Sequence, residues 1–421
     1  MDICQVVNKC VSPYHTAKFA GEVLAENGFE ELALSKPWNI CRGGRYFVKC
    51  FDSAVIAFTV GVEEGSFRIA ASHIDTPCFR IKPNPEQVSG GCLKFSVEPY
   101  GGMIDSTWLD RPLSIAGTVA VKSKNSLLPE NVLVNFEEPV AVIPSLAIHL
   151  NLEANKGTPQ NYNKTMLPIC RTIEKNFKKD GCLLKLLAEK TGTDIEDIIS
   201  FDLVLYCAEK PQLLGFDKGL LVSPRLDNMT SVLACLDGIC SSERKDGINV
   251  SVFYDNEEVG SRSKQGADSN IVSLVLEKVA CALDISRSRF LDMLTSGLLL
   301  SCDVAHAIHP NYTEMYDAVN CAQMNCGPAI KMNFRQRYPT DAKGMAVVEV
   351  LCRKNNLPYQ YYMNRSDLPG GGTIGADASS ILTMRAVDVG VPILAMHSAV
   401  ETMGVKDEAV LCALVKAFFN E

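Results

Sequence analysis

The segment SVFYDNEEVGS, residues 251–261, joins the pattern of a buried strand to a cluster of acidic side chains. Its run of β-branched and aromatic residues, VFY, favours a strand. The carboxylates of Glu257 and Glu258 follow, before the turn residue Gly260. Open α/β sheets place their sites at the carboxyl ends of strands. The segment therefore predicts a strand that delivers two carboxylates to a site, although such a pair taken alone is more typical of a solvated acidic turn.

Four other apolar runs also end in a residue that can bind a metal. They are FRIAASHID with His73 and Asp75, LLVSPRLDN with Asp227, LLLSCDVAH with Asp303, and VPILAMHS with His397. Imidazole and carboxylate groups are the ligands that zinc, manganese and cobalt bind in proteins. Five strand ends of this kind favour one shared metal site over an isolated acidic turn, and over a core histidine at position 73.

Composition limits the class of protein. The chain has 421 residues, of which 47 % are hydrophobic and 21 % charged, so we expect one or two globular domains. The net charge of −8 argues against nucleic acid or an anionic membrane as a partner. No apolar run reaches the roughly 18 residues of a membrane span, and MDICQVVNK does not resemble a secretory signal, so we expect a cytoplasmic protein.

The 17 cysteines are irregularly spaced and include no CxxC pair. In a protein without an export signal this pattern favours reduced, mostly buried thiols. A disulfide framework and a thiolate zinc finger are both disfavoured.

Strands and helices alternate on both sides of a middle block of different character. This rhythm predicts an α/β domain with a mainly parallel sheet, formed by residues 1–90 and 222–421. Residues 91–221 read as an insertion, with a strand at 139–143 and a helix at 176–199 among its elements. In the outer parts, helices are predicted at 13–27, 229–240, 269–282, 287–295, 346–355, 378–387 and 408–419.

The remaining histidines are weaker candidates for a site. His149 lies in the apolar run IPSLAIHLN, which is typical of a buried histidine in a strand. His306 and His309 are three residues apart, and Pro310 cuts short the turn that would align them. The HExxH pattern of helical zinc proteases is absent, and His15 reads as a helix-face residue.

A site for two ions needs a carboxylate shared by both, and Asp227 is a good candidate because Asp is short and this one ends a strand. The candidates for the outer positions are His73, Asp303, Glu258 and His397. Such ions activate water and polarise a carbonyl, and a further carboxylate must then carry the proton to the leaving group. Either Glu257 or Glu258 can do this, and the residues alone do not say which.

Eight motifs in order resemble the aspartyl aminopeptidases of peptidase family M18, and together they span most of the chain. They are SHIDTP, WLDRPL, IPSLAIHLN, SPRLDNMTS, YDNEEVGS, SCDVAHAIHPNY, GPAIK and LAMHS. The resemblance implies a three-layer, phosphorylase/hydrolase-like zinc-peptidase domain with an inserted β-rich domain for dimerisation. It also implies two divalent ions, zinc first with manganese or cobalt as options, and a homo-oligomer, a dodecamer built from dimers.

The resemblance also assigns roles to the strand-end residues. His73 and Asp303 would bind one ion, Glu258 and His397 the other, and Asp227 would bridge them. Glu257 would be the general base, and Asp75 would orient His73.

Three further residues receive roles from the same resemblance. His149 matches a histidine that reaches across a dimer interface to stabilise the reaction intermediate. Lys331 matches a lysine that meets the acidic side chain of the substrate, although a lysine taken alone is more typical of a surface residue. Tyr338 lies near it in the chain and would assist.

We therefore expect a metal-dependent aminopeptidase that acts on peptides and prefers an N-terminal Asp or Glu. Two segments, AVETMG and GGGTIGADASS, depart from the family pattern. An aminopeptidase of broader or leucine-type specificity, or a deacylase of small amides, is the alternative on the same dinuclear site. A scaffold protein with a decayed site is the non-enzymatic alternative, and the full set of ligands argues against it.

Overall fold

The structure is a computed structural model that describes all 421 residues. The chain forms two compact units. The first unit comprises Met1–Asp75, Pro211–Met396 and Glu401–Glu421, and the second comprises Thr76–Lys210 and His397–Val400.

The helices and strands are named here in chain order. The helices are α1 (Ile3–Lys9), α2 (Pro13–Glu26), α3 (Cys182–Thr191), α4 (Leu226–Cys240), α5 (Ile271–Ala282), α6 (Arg287–Thr295), α7 (Ala342–Lys354), α8 (Ile374–Leu382) and α9 (Asp407–Asn420). The strands are β1 (Glu30–Leu32), β2 (Arg45–Cys50), β3 (Ala54–Val60), β4 (Glu63–His73), β5 (Cys78–Ser89), β6 (Cys92–Tyr100), β7 (Leu113–Val121), β8 (Glu130–Asn135), β9 (Ile169–Thr172), β10 (Ile198–Cys207), β11 (Gln212–Leu214), β12 (Leu220–Ser223), β13 (Asp246–Tyr254), β14 (Leu298–Cys302), β15 (Ala305–His306), β16 (Ala329–Met332), β17 (Gln360–Met363), β18 (Arg385–Gly390), β19 (Pro392–Leu394) and β20 (Glu401–Gly404).

A nine-stranded sheet forms the centre of the first unit, in the order β1-β2-β3-β13-β4-β14-β18-β16-β17. Its middle strands β13, β4, β14 and β18 are parallel to one another, whereas β3 and β16 pair antiparallel with their neighbours β13 and β18. The predicted α/β class is confirmed, with a sheet that is mixed rather than uniformly parallel. Because the middle strands are parallel, β4, β13 and β14 end at the same edge.

Two hydrophobic clusters contact opposite faces of this sheet. Along β13, Val252 belongs to one cluster and the adjacent Phe253 to the other, since successive strand residues point to opposite faces. The first cluster contains residues of α5, α6 and α8, and the second contains residues of α1, α2, α4, α7 and α9. Helices thus bury the sheet on both faces and hold its strand ends in place.

One helix prediction in this unit was partly wrong. The helix expected at 378–387 begins earlier, at Ile374, and ends at Leu382, while residues 385–390 form the central strand β18. Thr383 ends the helix in the left-handed conformation, with φ of 51°. That position is more often glycine, so no glycine marks the helix end in the sequence.

The second unit contains a six-stranded antiparallel sheet in the order β8-β7-β10-β5-β6-β9, together with the helix α3. It begins at Thr76 rather than near residue 91, because β5 pairs along its length with β6. It ends at Lys210, since β11 and β12 pair within a sheet of the first unit.

Two local predictions in this unit were wrong. The segment 139–143 forms only isolated bridges, at Ala141 and Val142, instead of a strand. The helix expected at 176–199 is confined to Cys182–Thr191, where glycines flank both ends in the left-handed conformation.

All 17 cysteines are free thiols. None of the helices is long and apolar enough to cross a membrane.

Candidate metal centre

Three buried side chains of the first unit converge where strands of the nine-stranded sheet end. His73 is the last residue of β4, Asp303 follows β14, and Asp227 lies in the first turn of α4. The His73 Nε2 atom is 3.3 Å from an Asp227 carboxylate oxygen and 3.5 Å from one of Asp303. The three ligand atoms lie within 4.8 Å of one another. The sequence prediction that these strand ends meet is therefore correct in geometry.

Glu257 and Glu258 form a second group with the same histidine. They open a short 3-10 helix directly after β13, and both are half-buried. Ligand atoms of His73, Glu257 and Glu258 also lie within 4.8 Å of one another. One imidazole and four carboxylates thus surround a small volume, and this donor set suits a borderline divalent cation such as zinc.

Asp75 contacts both groups of candidate ligands, since it bonds to Glu257, Glu258 and His73. Its two carboxylate oxygens accept hydrogen bonds from the backbone N–H groups of Glu257 and Glu258, each at 3.1 Å. The His73 Nδ1 atom lies 3.1 Å from the Asp75 carbonyl oxygen and 3.4 Å from its carboxylate. A carboxylate partner on Nδ1 presents Nε2 to the site, which is how metal-binding histidines are usually oriented.

Asp227 has a supporting partner that the sequence analysis did not identify. Its backbone N–H donates to the carboxylate of Glu401 at 2.9 Å, and Glu401 is buried. The next residue, Asn228, donates from its side-chain amide to the carbonyl of Cys302 at 3.0 Å. The beginning of α4 is thereby tied to the end of β14, where Asp303 follows.

Burial and charge shift the pKa values at this centre. Burial by itself lowers the pKa of His73, but the carboxylates of Asp227, Asp303 and Asp75 raise it well above its ordinary value. Burial also raises the pKa of Glu257, to about 8, and neighbouring carboxylates add to the shift while His73 opposes it. A bound cation would stabilise a cluster with this many carboxylates.

His397 belongs to the second unit by its contacts. Its backbone has a φ of 67°, and its Nδ1 atom lies 2.9 Å from the Gly102 carbonyl oxygen. This contact orients the ring through Nδ1, as hydrogen bonds commonly do for histidines that bind metal through Nε2.

Lys331 lies in β16 and is 1 % exposed, so the alternative of a surface lysine is wrong. Its Nζ atom is 2.7 Å from a carboxylate oxygen of Asp388 and 5.1 Å from the centre of the Tyr338 ring, which is also buried. Burial lowers the pKa of Lys331, but Asp388 and Asp303 outweigh it and raise the pKa above the ordinary value. Burial raises the pKa of Asp388 as well, although Lys331 opposes that shift.

His149 is exposed in a 3-10 turn of the second unit, so its interpretation as a buried strand histidine was wrong. The apolar residues around it are exposed as well: Leu146, Ile148, Leu150 and Leu152. Leu150 has 75 % of its surface in contact with solvent. An apolar segment of this kind is typical of a surface that another protein covers.

Sequence comparison matches the chain along nearly all of its length. A family model described as Aminopeptidase I zinc metalloprotease (M18) matches residues 6–419. The "Probable M18 family aminopeptidase 2" of Clostridium novyi is 42 % identical over 423 residues, which cover 100 % of this chain and 98 % of the relative. The protein of the same description from Clostridium acetobutylicum is 43 % identical, with 97 % and 95 % covered.

Solved structures share the fold. Ape4, in a cryo-EM structure of its complex with Nbr1, matches with a TM-score of 0.94 and 32 % identity over 99 % of this chain and 84 % of that chain. The structure of the S. cerevisiae mApe1 dodecamer matches with a TM-score of 0.85 and 26 % identity, covering 99 % and 95 %.

Proposed function

The chain belongs to the M18 family of zinc metallo-aminopeptidases, and from this premise we propose that it releases N-terminal residues, preferably Asp or Glu, from peptides. The observation that carries the proposal is the meeting of His73, Asp227 and Asp303 beside the Glu257–Glu258 pair. The reaction is hydrolysis: the oxygen of water bonds to the first peptide carbonyl carbon, and the carbon–nitrogen bond breaks.

We propose that the centre holds two divalent ions, zinc in the first instance. His73 and Asp303 would bind one ion, Glu258 and His397 the other, and Asp227 both. When bound, such ions lower the pKa of a water molecule and polarise a carbonyl. The hydrogen bonds from the Glu257 and Glu258 amides to Asp75 fix the backbone of both glutamates next to His73.

Glu257 is proposed as the general base that takes a proton from the attacking water and gives it to the departing amine. General bases work best when their pKa lies near the operating pH. Burial raises the pKa of Glu257 to about 8, and the carboxylates around it contribute to that shift. Cations held by those carboxylates would act in the opposite direction and return Glu257 toward its ionised form.

His149 is proposed to act on a neighbouring copy of the chain, where its ring would donate to the oxygen that becomes negative during attack. Its exposure among exposed apolar residues supports this role, because a partner would bury them. The second unit would then serve dimerisation. A dodecamer built from such dimers is proposed by analogy with the mApe1 structure.

The preference for an acidic N-terminal residue rests on Lys331, with Tyr338 beside it. The Lys331 Nζ atom is 4.0 Å from an Asp303 oxygen, so the lysine belongs to the surroundings of the candidate ligands. For a substrate carboxylate to reach this ammonium group, the ion pair between Lys331 and Asp388 has to open. That opening is part of the proposal.

A second candidate is an aminopeptidase of broader or leucine-type specificity. It is favoured by the same contact, since the charge of Lys331 is already balanced by Asp388 at 2.7 Å. A neutral side chain would need no rearrangement of this buried pair.

Hydrolysis of N-terminal Asp, Glu, Leu, Ala and Lys amide substrates tests the proposal. The panel is measured before chelation, after chelation, and with zinc, manganese or cobalt restored. Metal-dependent cleavage dominated by Asp and Glu supports the acidic preference. Metal-dependent cleavage of Leu at a similar or higher rate supports the second candidate, and absence of cleavage with every metal would contradict both.

A further inference from the structure

Lys331 and Asp388 form a buried ion pair across two neighbouring strands. They are direct partners in the antiparallel register of β16 and β18, and they are 1 % and 0 % exposed. The Nζ atom also donates a hydrogen bond to the carbonyl of Val304 at 3.1 Å. Two charges withdrawn from water in this way are stable only when each has well-placed partners.

Asp388 is itself fixed by two threonines and a glycine. The Thr373 hydroxyl donates to the carboxylate of Asp388, and the Asp388 backbone N–H donates to Thr340 Oγ1 at 2.9 Å. Thr373 precedes the first residue of α8, and Gly375 lies in its first turn. A Cβ at Gly375 would approach the Asp388 carboxylate to 2.8 Å, so only glycine lets the helix come this close. The carboxylate is held at the amino end of a helix, where negative charge is favoured.

The strands β16 and β18 both contact the candidate ligand Asp303. Its backbone N–H donates to the Val389 carbonyl at 3.0 Å, and a Cβ at Gly390 would fall 1.7 Å from the Asp303 carbonyl oxygen. On the side-chain side, Lys331 Nζ is 4.0 Å from the Asp303 carboxylate. Lys331 therefore lies within ion-pair distance of Asp303, and it donates a hydrogen bond to the next residue, Val304.

From this geometry we propose that Asp388 and Lys331 are positioning residues for the metal ligand Asp303. Asp388 fixes the ammonium group, and the ammonium group fixes the Asp303 carboxylate and the backbone that follows it. The inference rests on the proposed metal centre, and it does not depend on which N-terminal residue the substrate carries. It assigns a role to Asp388, which lies in a strand whose first residues, 385–387, were predicted as helix.

The proposed contact of Lys331 with a substrate carboxylate is a separate role, and the two roles predict different consequences. A positioning pair controls how tightly metal is held, and it affects all substrates alike. A substrate contact controls only the ratio between acidic and neutral substrates. Metal affinity, measured without any substrate, therefore separates them.

The test compares wild type with Lys331→Met, Asp388→Asn and the double variant. Each metal-free protein is titrated with cobalt, followed by its visible absorption, and zinc content is measured after dialysis against a weak chelator. Loss of a group that orients a metal ligand typically costs about 10- to 100-fold in metal affinity. We expect a loss of this size in each single variant, an altered cobalt spectrum, and little further loss in the double variant, because the two residues act as one unit.

Two further variants keep the test decisive. Thr373→Val removes only the hydroxyl that donates to Asp388, so it should fold and should show a smaller loss of cobalt affinity. Asp246→Asn is the control, since Asp246 pairs with Arg244 at the start of β13, the opposite end of that strand from Glu257. It should bind cobalt as wild type does.

Wild-type cobalt affinity and spectrum in Lys331→Met, Asp388→Asn and Thr373→Val would overturn the inference. So would a change confined to the ratio of activities on Asp and Leu substrates, because it would indicate that Lys331 contacts the substrate and does not position Asp303. If wild type itself binds neither cobalt nor zinc, the proposed metal centre fails, and the inference fails with it.

Discussion

The candidate ligands of the first unit and the His149 segment of the second are built in opposite ways. His73, Asp227 and Asp303 are buried, and their positions are fixed by strand ends and by hydrogen bonds within the same unit. His149 is exposed in a single 3-10 turn flanked by exposed leucines. One region is complete within one chain, whereas the other presents apolar surface that a folded protein rarely leaves uncovered.

The difference indicates how each region would contribute to a reaction. A metal centre is aided by ligands that are oriented before the ion arrives, and the hydrogen bonds of Asp75 and Glu401 would supply that orientation here. A side chain on an exposed turn gains a fixed orientation only when something packs against it. Substitutions in the two regions should therefore differ in size and in whether a second copy of the chain can correct them.

The largest effect is expected for Asp227→Ala. Removal of the proposed bridging carboxylate should release at least one metal ion and abolish metal-dependent hydrolysis, because both ions lose a ligand. Metal content by plasma emission and hydrolysis of the preferred substrate measure this. Asp237→Ala, an exposed position on the same helix α4, is the control and should retain both properties. Unchanged metal content in Asp227→Ala would refute the bridge.

The second-largest effect is expected for Glu257→Gln. The amide keeps the shape of the side chain but cannot accept the proton from water, so kcat should fall by about 10²- to 10⁴-fold with metal content unchanged. The neighbouring variant Glu258→Gln provides the contrast, because it should lose metal as well as activity. Turnover near the wild-type rate in Glu257→Gln would remove its role as general base.

The sequence was most informative where a residue that can bind a metal follows directly on an apolar strand. The apolar runs before His73 and Asp303 form β4 and β14, and their parallel arrangement brings both residues to one edge. This part of the site was predictable because strand pattern and metal-capable residue types are both local signals. The same reasoning found the Glu257–Glu258 pair after β13.

Long-range partners were not predictable in the same way. Lys331 lies in a four-residue strand, too short for its pattern to reveal that the lysine is buried. Its partner Asp388 lies in β18, which follows α8 almost without a loop and so continued the helical pattern. Around His149 the alternating apolar residues are typical of a buried strand, yet they are exposed. Sequence patterning alone does not distinguish a core strand from an exposed apolar segment.

The smallest effect is expected for His149→Ala, and it should be the only one of the three that a second copy can correct. Loss of one donor to the developing negative oxygen costs about 10²-fold in kcat, with metal content unchanged. If His149 serves the neighbouring site, mixing His149→Ala with Glu257→Gln under conditions that exchange subunits gives mixed dimers with one complete site. Random exchange predicts recovery to about one quarter of wild-type activity, because half of the dimers are mixed and one of their two sites is intact.

The matched control is a mixture of Asp227→Ala with Glu257→Gln. Both residues belong to the same unit, so exchange of subunits cannot assemble a complete site and activity should not recover. Recovery in the first mixture and none in the second would establish that His149 acts between chains while the candidate ligands act within one. If neither mixture recovers although subunits demonstrably exchange, His149 acts within its own chain, and the exposed leucines around it require a different partner.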